Sequence, residues 1–201
     1  NDVYPSAIKL GMVFGVWRLA AEHRLLSESF AAKGREFADI LKVGRTQMQD
    51  AVPMTLGQEF RGFANTLGED QDRIEETIPF LCEVNLGATA IGTGITADHR
   101  YPEAVRAHLA ELTGLAIHTA PDLIEATSDA GVFMTLSSVL KRSAVKLSKI
   151  CNDLRLLSSG PQAGLAEIEL PARQAGSSIM PGKVNPVIPE VVNQVAFAVI
   201  G

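Results

Sequence analysis

The densest group of reactive side chains in this 201-residue sequence lies between Gly176 and Pro186. Within Gly176-Ser177-Ser178-Ile179-Met180-Pro181-Gly182-Lys183-Val184-Asn185-Pro186, a hydroxyl pair, a cation and an amide are framed by glycines and prolines. A plain connector would share the glycines and prolines, but together these side chains can hold an anion, Lys183 as a point charge and Asn185 as an amide donor. The phosphate-binding loop pattern needs Gly, four residues, then Gly-Lys-Ser/Thr on a turn from strand to helix. Here five residues intervene, Val184 follows the lysine, and no strand is expected before it. Gly92-Thr93-Gly94-Ile95-Thr96-Ala97 fits a dinucleotide pattern on paper, yet it follows a helical stretch instead of a strand. A second polar segment, Val43-Gly44-Arg45-Thr46-Gln47-Met48-Gln49-Asp50, is closed by Pro53 and reads as a loop feeding a helix.

The elements that must position these loops are helical. Ile8, Met12, Val16 and Leu19 recur at helical spacing between Pro5 and about Phe37, which predicts one helix or two in succession. Thr55 with Gln58 forms a capping box, and Phe60, Phe63, Leu67, Ile74 and Ile78 continue as a long amphipathic helix that Pro79 ends or kinks. Asn85 to Ala97 is rich in Gly and Thr and is expected to be irregular. A shorter helix then runs from Tyr101 to Leu115, its end marked by Gly114. Phe133, Leu140, Leu147 and Leu154 repeat every seven residues, and Leu136, Ile150 and Leu157 fill complementary positions, a seam suited to partner helices. Gly160-Pro161 stops that helix, and a last one runs from Glu190 to Ile200. With no strand-like alternation, the expected fold is all-α, a bundle of long helices forming a single domain over residues 1–201.

Composition narrows the function classes. The chain is 46% apolar and 20% charged with a net charge of -5, which excludes a coat for nucleic acid or an anionic membrane. Any anionic substrate must therefore be held by a local site. No apolar run approaches the roughly 18 to 20 residues that span a bilayer. Cys82 and Cys151 form no metal-ligand pattern, and a reducing cytoplasm is the expected location. The four histidines, His23, His99, His108 and His118, fall outside the motifs and are expected on the surface or in loops.

The eleven residues from Gly176 to Pro186 match the signature of the aspartase/fumarase superfamily at every position, so the chain is identified as a member of it. Gly44 to Pro53 resembles the family's second substrate-binding segment, and Asn85 to Gly94 is also similar. The stretches Ile150 to Gly160 and Val187 to Val195 resemble the aspartate ammonia-lyases more than the fumarate hydratases. With no initiator Met and an end at Ile200-Gly201, the chain reads as the central helical domain of a longer family member.

The resemblance implies elimination of ammonia from L-aspartate to give fumarate. By it, Ser177 is the base, Ser178 lends a backbone N–H to an oxyanion hole, and Lys183, Asn185 and Thr46 hold the α-carboxylate. Asn1 and Gln47 face the amino group, and Glu190 is a supporting carboxylate. Many superfamily members, the hydratases among them, carry His where this chain has Gln47, which can hydrogen-bond but cannot titrate. A hydratase-style proton relay through Glu190 is therefore disfavoured. Each residue also has a plainer role: Lys183 can be solvated, Asn185 can cap a helix, and Thr46 can satisfy loop backbone.

No cofactor is implied. An activating divalent cation, known for some family members, has no site that the sequence locates. The implied assembly is a homotetramer with each active site shared by three subunits and a small dicarboxylate as ligand, and the fragment alone is expected to be inactive. The alternatives are a class II fumarate hydratase and a non-catalytic helical assembly protein, with argininosuccinate and adenylosuccinate lyases further off.

Overall fold

A computed structural model describes residues 1–201, which divide into two compact units, Asn1–Ser137 and Ser138–Gly201. The first unit is organised by α1 (Val3–Glu36), one unbroken helix, and α2 (Leu56–Glu75). Leu10, Val13, Val16 and Ala20 of α1 are buried, as are Phe60, Phe63, Ala64, Leu67 and Ile74 of α2. Phe30, Phe37, Phe60 and Phe63 form an aromatic cluster with ring centroids 5.2 to 5.9 Å apart, two pairs edge-on, as ring quadrupoles favour, and two tilted. The expected capping box is present: the Thr55 hydroxyl accepts from the Gln58 N–H at 3.1 Å and the Gln58 carboxamide accepts from the Thr55 N–H at 2.9 Å.

Between these helices the structure corrects the sequence. Residues 41–55 are not a loop but an antiparallel hairpin of β1 (Leu41–Thr46) and β2 (Gln49–Thr55), with Thr46 opposite Gln49. A two-stranded hairpin is marginal by itself. This one is rooted on α2 through the Lys42–Glu59 ion pair and through the Leu56 N–H, which donates to the Ile40 carbonyl at 2.8 Å.

Ile78 and Pro79 belong to a separate short helix, α3 (Ile78–Leu81), with the proline in its first turn, where its missing N–H costs no helical bond. β3 (Glu83–Val84) leads into the irregular stretch expected from Asn85 onward. α4 (Tyr101–Thr113) ends on Gly114 at φ 70, the left-handed cap that only glycine adopts freely. β4 (His118–Thr119) then pairs parallel with β3, and α5 (Leu123–Ser128) follows.

The boundary between the units falls within α6 (Gly131–Leu157), where Leu136, Ile150 and Leu157 are buried and Phe133, Leu140, Leu147 and Leu154 half-buried. In the second unit, α7 (Val187–Ile200) begins three residues before the expected Glu190. Pro189 is accommodated there because first-turn N–H groups have no helical acceptor. Asn193 of α7, nearly fully buried, shares a 2.7 Å hydrogen bond with Asn152 of α6. The all-helical expectation holds for the framework, with four short strands added. No helix is long and apolar enough to cross a membrane.

Candidate functional site

The segment from Ala175 to Val184 is a closed loop. Its ends are joined by an antiparallel bridge between Ala175 and Val184, and the Gly176 N–H donates to the Lys183 carbonyl at 2.7 Å. At the far side the Lys183 N–H donates to the Met180 carbonyl at 3.1 Å, with Gly182 at φ 84 between them. A Cβ on Gly176 would sit 2.9 Å from both the Asn185 Oδ1 and the Lys183 Cγ, so glycine is required by close approach. The clasp thus brings Lys183 and Asn185 to the residue that precedes Ser177.

Ser177 is half-buried, and its Oγ accepts from the Ile179 N–H at 3.3 Å, a short serine turn. The N–H groups of Ser177 and Ser178 have no acceptor in the chain. Two successive unpaired amides beside a hydroxyl are suited to an anion. Lys183 and Ser178 are exposed, Asn185 is half-buried, and Glu190 lies exposed in the first turn of α7.

The remaining expected site residues belong to the first unit. Thr46 ends β1, and Gln47 and Met48 form the two-residue tip of the hairpin at φ 49 and φ 63. Positive φ at both central positions is a mirror-image hairpin turn, usually made by Asn-Gly or Gly-Gly. Holding it with Gln-Met stores backbone strain at the tip, where Thr46, Gln47 and Met48 all stand exposed.

Asn1 precedes α1, and its Nδ2 donates to the Ala90 carbonyl at 2.8 Å. Beside it Asp2 is buried, with a carboxylate that accepts from three backbone N–H groups, Val3 at 2.8 Å, Gly87 at 3.0 Å and Thr89 at 3.3 Å. Burial pushes this carboxyl up, and the N–H donors of Gly87, Thr89 and Val3 more than offset it, leaving the group below the usual carboxylate range. Asp2 was not among the expected site residues. Its N-cap chemistry just ahead of Pro5 is the signal that marks it in the sequence.

His23 is a further correction. It is buried within α1 instead of lying on the surface, and desolvation pushes its pKa down while the charge of Asp70 pushes it up by less. His99, His108 and His118 are exposed.

Long helices carrying a clasped Ser-Ser-Lys-Asn loop define a recognisable class. A family model described as Lyase matches residues 1–201, and the chain belongs to this family of lyases. It is 65% identical over 202 residues to an aspartate ammonia-lyase of Pseudomonas fluorescens and 58% identical over 201 residues to that of Escherichia coli K12. Each comparison covers 100% of this chain and 42% of the relative. Among solved structures, the fumarate lyase:delta crystallin from Brucella melitensis bound to cobalt is similar with a TM-score of 0.93 at 57% identity, over 100% of this chain and 44% of that one. The class II fumarase from Schistosoma mansoni has a TM-score of 0.97 at 34% identity, over 100% and 45%. The chain therefore spans less than half the length of these relatives.

Proposed function

We propose that this chain supplies the central helical part of an aspartate ammonia-lyase, converting L-aspartate reversibly to fumarate and ammonia. The observation that carries the reading is the clasp between Gly176 and Lys183, which sets the Ser177 segment against Lys183 and Asn185.

The reaction removes a proton from the carbon next to the β-carboxylate, a weak acid, and the electron pair moves into that carboxylate as an enediolate. Stabilising this charge is the main task. Ser177, as alkoxide, takes the proton. The free N–H groups of Ser177 and Ser178 supply donors toward the developing charge. Collapse of the enediolate forms the carbon–carbon double bond and breaks the bond to nitrogen, which leaves already protonated. Lys183, Asn185 and Thr46 hold the α-carboxylate, Asn1 and Gln47 face the amino group, and Glu190 supports the loop side. A preformed loop limits the reorganisation needed as charge builds, and losing one such donor costs about 3 to 4 kcal/mol in comparable sites.

The Schistosoma mansoni fumarase shares the backbone, so fold alone does not separate deamination from hydration. Gln47 favours deamination, because an ammonium group leaves without the acid help that hydroxide needs. The names of the Pseudomonas fluorescens and Escherichia coli relatives point the same way.

The site residues divide between the two compact units, Asn1, Thr46 and Gln47 in one and Ser177, Ser178, Lys183, Asn185 and Glu190 in the other. The family arrangement, a homotetramer with each site shared by three subunits, is the assembly proposed. The activating cation is left open: no cluster of three or more His, Cys, Asp or Glu residues able to hold a metal is present. The test is a chain of the relatives' length carrying residues 1–201, assayed with aspartate and with malate. Fumarate from aspartate and none from malate is expected; the reverse would establish a hydratase, and no product from either would leave a scaffold.

A further inference from the structure

Asn1 and Asp2 lie side by side and grip the same loop, Asn85 to Ala90. Two N–H groups of that loop, Gly87 and Thr89, converge on one oxygen of the buried Asp2 carboxylate at 3.0 and 3.3 Å. Backbone amides set one residue apart in this way form a concave nest for an anion, filled here by the protein's own side chain. Accommodating it puts Gly87 at φ 94 and Thr89 at φ 60. A β-branched residue holds that left-handed conformation only where its surroundings enforce it. The next residue, Ala90, turns its carbonyl to accept the Asn1 Nδ2 at 2.8 Å.

That last bond orients the Asn1 carboxamide. One of its two N–H bonds is given to the Ala90 carbonyl, while its oxygen accepts nothing from the chain, and an amide oxygen accepts from donors such as ammonium. Asn1, Thr89, Ala90 and Tyr101 line an open cavity of about 740 Å³. The main chain is pinned as well: the Asn85 Nδ2 donates to the Asn1 carbonyl at 3.2 Å and to the Thr127 hydroxyl at 3.0 Å.

We propose that Asp2 is a positioning residue for substrate selection. Its carboxylate holds residues 87–90 in the one conformation that turns the Asn1 amide oxygen toward the substrate's amino group. This rests on the reading of Asn1 as an amino-side ligand.

The test compares aspartate with succinate, the same four-carbon dicarboxylate without an amine, in the full-length enzyme carrying this chain. Asp2→Ser keeps a helix-capping oxygen but is too short to reach Gly87 and Thr89. It should raise KM for aspartate about tenfold, the effect of one lost hydrogen bond, while the inhibition constant for succinate moves less than about twofold. Asp2→Thr, which also caps the helix and is likewise too short to reach Gly87 and Thr89, should shift the same ratio and serves if the serine variant folds poorly. Asn1→Ala reports on the underlying reading. If it leaves the aspartate-to-succinate ratio unchanged, Asn1 is not an amino-side ligand and both ideas fall. If it shifts the ratio while both Asp2 variants lose only thermal stability, the positioning role alone is overturned.

Discussion

Gly176 and Lys183 are joined by a backbone hydrogen bond of 2.7 Å, and the same glycine leaves no room for a Cβ between the Lys183 side chain and the Asn185 amide. The loop is therefore held in shape by its own backbone, and its reactive groups inherit that shape.

Gly176→Ala follows from this directly. The added methyl would meet the Asn185 Oδ1 and the Lys183 Cγ at 2.9 Å and the Lys183 carbonyl at 3.0 Å. Shifting the loop to relieve these contacts should lower kcat/KM roughly 10- to 100-fold. The loop carries little of the buried core, so the melting temperature should hardly move. Steady-state kinetics beside a thermal melt checks both halves.

Thr55→Ala should behave in the opposite way. It removes the side-chain acceptor of the capping box at the junction of β2 and α2, at a cost of about 1 kcal/mol in stability. Denaturant unfolding should show that loss while KM for aspartate stays unchanged, because the cap touches none of the proposed ligands.

How far the sequence could be read depended on how local each feature was. The capping box, the Gly114 stop and the α6 heptads are set by residues within a few positions of one another, so periodicity revealed them. The hairpin escaped because its tip is Gln47-Met48 instead of a Gly or Asn pair, and its strands are largely exposed, leaving no alternation to detect. His23 was misplaced although the signal was present: Val13, Val16, Ala20 and His23 step by three, four and three, so the buried stripe of α1 runs through the histidine. The Asp2 nest could not be read at all, since its donors lie more than eighty residues away. The site loop itself was legible as a motif, but its clasp was not.

His23 makes stability depend on pH. Burial lowers its folded pKa below the unfolded value, so folding favours the neutral ring. Its contribution is complete above the ordinary histidine range and is lost as the pH falls below about 6.5 and through the folded pKa. Thermal melts between neutral pH and pH 5.5 or so should show a decline that His23→Gln flattens. An unchanged slope in the variant would assign the acid sensitivity to other groups.

Gln47→His places a titratable ring at the hairpin tip. The pH profile of kcat/KM should gain an ionisation near 6.5 or so that the parent lacks. A profile identical to the parent's would put residue 47 away from the reacting groups.

Sharing of sites between subunits can be tested by mixing. Thr46→Ala and Ser177→Ala enzymes, each inactive alone, should regain activity when dissociated and reassembled together, since some sites would then hold neither substitution. Mixtures that stay inactive would contradict shared sites.

The central claim is that Ser177 removes the proton. Full-length enzyme carrying Ser177→Ala should bind succinate as the parent does, keep its assembly, and form fumarate from aspartate roughly 1,000-fold or more slowly. Fumarate formation followed by ultraviolet absorbance is the measurement. A variant that turns over aspartate at the parental rate would contradict the account.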